Sequence, residues 1–172
     1  ARDPKSIPPM LLGGGQERGL RGGTENVIGI AGYGAACGAA QAAGPSRGEA
    51  MRSLRDRLWR GISARIPDVR WNGAPETTLP NTLNVELSGL AGEVLLQALD
   101  LDGIAVSAGA ACHSGSVEPS KTLLAMGRTP AQARASLRFS VGVDTTADEI
   151  DRVVERLVVL VPRVRGHEDD EA

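Results

Sequence analysis

The sequence predicts a layered α/β or α+β domain built on a sheet of three or four strands with packed helices. Three observations carry that expectation. Runs that alternate with period two, such as Thr82-Leu83-Asn84-Val85-Glu86-Leu87, are interleaved with runs whose apolar residues recur every three or four positions. The 172 residues are enough to bury a core. With four aromatic residues (Tyr33, Trp59, Trp71, Phe139), that core has to be assembled from Val, Leu, Ile and Ala.

Along the chain, three prolines in residues 1–12 predict an extended lead-in. Residues 13–24, GGGQERGLRGGT, hold six glycines and predict a loop with unusual backbone demands. Residues 25–43 are rich in Ala, Ile and Gly and predict a small-residue helix, broken by Gly44-Pro45. Ser46 with Glu49 has the spacing of a capping box. Met51, Leu54, Leu58, Ile62 and Ile66 then mark an amphipathic helix with arginines on its outer face. Strands are expected at 69–71, 82–87, 104–107 and 136–141, and helices at 92–101 and 119–126. A last helix, capped by Thr145 or Thr146, carries Ile150, Val153, Val154, Leu157 and Leu160. The division expected from this pattern is 1–24 lead-in and glycine-rich loop, 25–66 connecting helices, 67–165 a C-terminal small domain and 166–172 an acidic, frayed tail.

Composition narrows the function. Nineteen basic against twenty-one acidic residues, a net charge of −2, argue against a nucleic-acid-binding protein. No run approaches the ~18 apolar residues of a membrane span. Two cysteines are too few for a disulfide scaffold and point to a reducing cytoplasm. Only Lys5 and Lys121 are lysines, and Ala1 in place of Met suggests a chain that starts inside something longer.

Three features can carry chemistry. Cys112 lies in SAGAACHSGS, where nearly every neighbour is small; such a loop suits a nucleophile that must travel, and a charged His113 would favour its thiolate. The competing reading is a buried structural thiol, which is the reading adopted for Cys37 in its Ala-rich helix. The glycine-rich loop ending in Thr24 could cradle an anion, although its spacing is neither a Walker A loop nor a dinucleotide fingerprint. Arg138 shares a strand face with Ser136 and Ser140, where it is either a solvated residue or a bidentate clamp for a carboxylate. One His beside one Cys gives no metal-ligand spacing.

These features occur in an order that resembles the C-terminal part of a cysteine desulfurase of the class V aminotransferase superfamily, in the branch that supplies sulfur for iron–sulfur cluster assembly. The matching stretches are GGGQERGLRGGTEN (13–26), NTLNV (81–85), VSAGAACHSGSVEPSKTLLAMG (106–127) and ASLRFSVGVDTTADEID (135–151). The resemblance implies the small domain of the fold-type I pyridoxal-phosphate enzymes. It implies pyridoxal phosphate as cofactor and L-cysteine as substrate, with Cys112 taking the substrate sulfur as a persulfide and leaving L-alanine. It further implies Arg138 as the partner of the substrate carboxylate and Thr24 as a contact to the cofactor phosphate of the other subunit, hence a homodimer. A sulfur-acceptor or scaffold protein would receive the persulfide, and Cys112 can in this family hold an iron–sulfur cluster transiently.

The departure is equally specific. The family's Schiff-base lysine sits in a Ser-x-His-Lys motif, which neither Lys5 nor Lys121 matches, and the aspartate and histidine that hold the pyridoxal ring have no counterpart. The expectation is therefore a fragment that does not turn over cysteine by itself. The alternatives are a selenocysteine lyase on the same scaffold and a non-catalytic sulfur carrier that keeps Cys112.

Overall fold

The computed structural model describes residues 8–109 and 119–169. The chain divides into two compact units, Ala1–Gly44 and Pro45–Ala172. The division falls within helix α1 (Val27–Arg65) at Gly44, whose φ of 25° and ψ of −130° are not helical.

In the first unit, the glycine-rich segment makes a left-handed turn: Glu17, Arg18 and Gly19 have φ of 50°, 59° and 79°. The chain then returns to Leu11, whose carbonyl accepts from Gly22 N at 2.8 Å. A side chain at Gly22 would lie 2.6 Å from the backbone of Gly13, so this crossing admits only glycine. Asn26 opens the first arm of α1, its Oδ1 accepting from Gly29 N at 3.0 Å. Cys37 on this arm is exposed, which corrects the reading of it as a core thiol. The arm is built from Gly and Ala and buries no side chain.

The second unit contains the second arm of α1, then β1 (Val69–Trp71), β2 (Thr82–Leu87), α2 (Gly92–Leu101), β3 (Ser107–Ala108), α3 (Lys121–Ala125), α4 (Pro130–Arg134), β4 (Ser136–Ser140) and α5 (Ala147–Asp169). The four strands form an antiparallel sheet in the order β1-β2-β4-β3, in line with the expected mixed layered class. Strand alternation gives it two unlike faces. Trp71, Leu83, Val85, Leu87, Leu137 and Phe139 are buried in one hydrophobic cluster with Leu58 and Ile62 of α1, Leu95 and Leu99 of α2, and Ile150, Val154, Leu157 and Val161 of α5. The opposite face carries Arg70, Asn84, Glu86, Ser136 and Arg138.

Several elements differ from their expected form for identifiable reasons. The strand expected at 104–107 shrinks to Ser107–Ala108, because Gly103 (φ 74°) and the bond from Ile104 N to Leu99 O (2.9 Å) still belong to the closure of α2. The helix expected from Pro119 begins at Lys121, where the Ser120 hydroxyl caps Leu123 N. Helix α4 was not expected, yet Thr129-Pro130-Ala131-Gln132 has both a capping box and a proline at the first position. Helix α5 runs to Asp169, into the stretch expected as a frayed tail.

Arg55 also departs from the outer-face expectation. It is 1% exposed; its guanidinium lies 4.9 Å over the Trp71 ring and donates to the carbonyls of Pro75, Thr78 and Leu79. Those carbonyls need donors once the loop between β1 and β2 folds over the sheet edge, and the guanidinium fork supplies several at once.

Candidate active site

Arg138 occupies the middle of β4 and is partly exposed. In the β2–β4 register it stands opposite Asn84, and in the β3–β4 register opposite Ser107. Beyond β1, Asn72 N donates to Asn84 O at 2.8 Å and so extends the same line. Directly opposed residues of antiparallel strands share a face. The result is one transverse row across the polar face: Asn72, Asn84, Arg138, Ser107.

The row is joined at its two ends. On one side Arg138 Nη2 donates to Ser107 Oγ at 3.2 Å. The guanidinium forms no ion pair among the described residues, which leaves its other N–H donors unspent. On the other side Asn72, 5% exposed, donates from Nδ2 to Asn84 Oδ1 (2.8 Å) and to Ser136 Oγ (2.9 Å), and Ser136 Oγ passes its own proton to Gln132 O (2.7 Å). The sequence named Arg138 for this face but not Asn72, Asn84 or Ser107. Their signal was present as polar residues at alternate positions of otherwise apolar strands.

Glu86, next on this face, was also missed. It is 4% exposed, with Oε1 accepting from Ser88 Oγ at 3.2 Å and Oε2 lacking a hydrogen bond. It lines a groove of about 430 Å³ with Ser88, Ala91, Gln132 and Arg134.

Thr24 is exposed and follows Gly23 (φ 87°); its carbonyl accepts from Arg21 Nη1 at 3.0 Å. It belongs to the first unit. Cys112 and His113 lie outside the described residues. No group of three or more His, Cys, Asp or Glu that could hold a metal ion is found among the described residues. No helix among them is long and apolar enough to cross a membrane.

A four-stranded antiparallel sheet with helices on its apolar face is a fold this chain shares with part of the NifS-like fold-type I pyridoxal-phosphate enzymes. A solved NifS-like protein superimposes with a TM-score of 0.76 at 31% identity over 90% of this chain and 39% of that one. The NifS-like protein of Rickettsia africae gives a TM-score of 0.73 at 30% identity, covering 88% of this chain and 39% of that one.

The chain belongs to the class-V aminotransferase family, which it matches over residues 5–153. It is 44% identical to the cysteine desulfurase IscS of Clostridium botulinum over 161 residues, 92% of this chain and 41% of that protein. It is 47% identical to a cysteine desulfurase of Cereibacter sphaeroides over 164 residues, 94% of this chain and 42% of that protein. The chain thus spans about two fifths of the length of these curated relatives.

The family is one of pyridoxal-phosphate enzymes, and the residues of this chain fit that cofactor only in part. Thr24, next to backbone N–H groups in a glycine-rich turn, suits a phosphate. The aldehyde requires a lysine amine, and Lys121, the one lysine among the described residues, is exposed in the short helix α3. Among the described residues, then, no lysine is positioned to hold the cofactor covalently.

Proposed function

We propose that the protein is a cysteine desulfurase and that this chain contributes its sulfur-accepting thiol and its carboxylate-binding arginine. The observation that carries the reading is the tie between Arg138 and Ser107. It anchors the guanidinium at Ser107, which precedes Cys112 by five positions in the sequence, and this supports pairing the two residues in one site. The conversion balances as L-cysteine plus the Cys112 thiol giving L-alanine plus a Cys112 persulfide. The thiolate of Cys112 attacks the substrate sulfur, and the carbon–sulfur bond breaks with its electron pair left on carbon, which is later protonated. Pyridoxal phosphate, when bound, supplies the electron sink for that carbon. The persulfide sulfur then passes to an acceptor protein, with iron–sulfur assembly as the proposed destination and a homodimer as the proposed working form.

In the complete enzyme, Cys112→Ser abolishes the persulfide detected by mass spectrometry and with it alanine release driven by L-cysteine. Sulfide and alanine produced at an unchanged rate would sink the assignment. Arg138→Ala chiefly raises the KM for L-cysteine, as expected when a carboxylate clamp is lost. For the 172-residue chain alone, borohydride treatment with pyridoxal phosphate labels neither Lys5 nor Lys121 in a defined stoichiometry. A single lysine modified to completion would show that the chain holds the cofactor after all.

A further inference from the structure

We infer that Asn84 is a second hydrogen-bond donor to the substrate carboxylate beside Arg138, and that Asn72 holds it in that role. The inference rests on the reading of Arg138 as the carboxylate clamp and adds a specificity residue to it.

The hydrogen-bond chain running into the sheet fixes which way each amide is turned. Ser136 Oγ gives its proton to Gln132 O, so toward Asn72 it can only accept. The atom of Asn72 facing it must then be Nδ2, whose second proton goes to Asn84 Oδ1. Asn84 therefore spends its carbonyl on the β1 side and keeps its NH2 group, which makes no hydrogen bond among the described residues. The reverse setting would turn a buried NH2 of Asn72 where its Oδ1 now lies without a partner. Burying two unmet N–H donors costs more than burying one unmet carbonyl oxygen, which favours the observed setting.

Asn84 stands directly opposite Arg138 and, like it, is only partly buried. The exposed part of the row thus offers donors from two neighbouring strands: the unspent guanidinium N–H groups and the Asn84 NH2. The acidic side chain nearest on this face, Glu86, is 4% exposed and directed into its own groove. Donors without a competing acceptor suit an anion with two oxygens, and a carboxylate can take one strand's donor on each.

The test is the equilibrium Kd of the complete, cofactor-loaded enzyme for L-alanine, set against ethylamine, which lacks the carboxylate, both by calorimetry. Asn84→Ala is expected to weaken L-alanine about 10-fold while leaving ethylamine within about 2-fold, the size of a lost hydrogen bond to a charged group. Asn72→Asp never touches the ligand, but it replaces the donor to Asn84 by an acceptor. The Asn84 amide then turns over and presents its oxygen, and L-alanine weakens by a similar factor. A defect in folding would weaken both ligands alike, and that result overturns the inference. Arg138→Ala, run in parallel, separates the two claims. If it alone changes the ratio of the two Kd values, Asn84 has no such role and the clamp stands. If neither Arg138→Ala nor Asn84→Ala changes the ratio, the clamp reading falls and this inference falls with it.

Discussion

Thr146 Oγ1 accepts from Glu149 N at 3.3 Å, and Glu149 Oε2 accepts from Thr146 N at 2.7 Å, so the start of α5 is closed by a reciprocal pair. The hydrogen bond from the Thr146 backbone is the main cause holding the Glu149 carboxyl below its ordinary value. Two residues on, the hydrogen bond from Arg57 (Nε to Asp151 Oδ1, 2.7 Å) lowers the Asp151 carboxyl in the same way. Both groups release their protons more readily folded than unfolded. Each therefore adds stability that is complete above the unfolded carboxylate range, ~4, and is lost as pH falls through the lowered folded value. Thermal melts between pH 7 and pH 3 are expected to show Tm falling below pH ~4. Glu149→Gln combined with Asp151→Asn should flatten that acid limb. An unchanged slope would mean that neither carboxyl is tied to folding. The same arginine chemistry recurs along α5: Arg156 pairs with Asp102 at 2.7 Å, and Arg165 donates to Ser88 O and Pro67 O. A chain with only two lysines has put guanidinium forks where backbone carbonyls and carboxylates need several donors from one side chain.

At the scale of elements, Gly61 in the second arm of α1 is set against Val154 of α5. An added Cβ would meet Val154 Cγ2 at 2.7 Å and Cγ1 at 3.1 Å. Two effects compete there: alanine gains ~1 kcal/mol of helix propensity over glycine, whereas overpacking a filled contact costs ~1–3 kcal/mol. Gly61→Ala is therefore expected to destabilise the native protein but to stabilise a Val154→Ala background, where the steric opposition is gone. Denaturant melts of the four proteins give the coupling energy directly, and additivity would refute the contact. Periodicity made such elements legible from the sequence: β2 and α2 stand at their expected bounds because Thr82–Leu87 alternates strictly and Gly92–Leu101 ends at Asp102-Gly103. It could not show which glycine two helices close upon, nor that Arg55 turns inward, because both depend on partners distant in sequence. Helix α4 was missed for a different reason. At five residues it is too short to show a period, and only its Thr129–Gln132 cap marks it. For the site, Arg138 was legible as a charge inside an apolar strand, whereas Asn72, Asn84 and Ser107 gained meaning only once the register aligned three strands and the end of β1.

At the scale of the whole molecule, the buried hydrophobic residues run from Leu58 to Val164, so every one among the described residues lies in the second unit. The first unit instead exposes Met10, Leu12, Val27, Ile28 and Tyr33, each more than half accessible, and its helical arm is made largely of Gly and Ala. Small side chains bury little apolar area, at ~25 cal/mol per Å², while each ordered residue costs ~1–2 kcal/mol of backbone entropy. An arm of that composition cannot offset its own ordering, whereas the sheet with α1's second arm, α2 and α5 encloses a continuous core. A polypeptide of residues 45–172 is accordingly expected to unfold in one cooperative thermal transition, and residues 1–44 alone to show none. Circular dichroism and calorimetry on the two pieces decide the matter. A 45–172 piece that melts without cooperativity would mean that its core is insufficient by itself. A cooperative 45–172 would place the Asn72–Asn84–Arg138–Ser107 row on a domain that keeps its geometry without the glycine-rich loop. Its register could then be checked by backbone hydrogen exchange across β2 and β4, with the slowest amides expected at Val85 and Leu137, where both strands are fully buried.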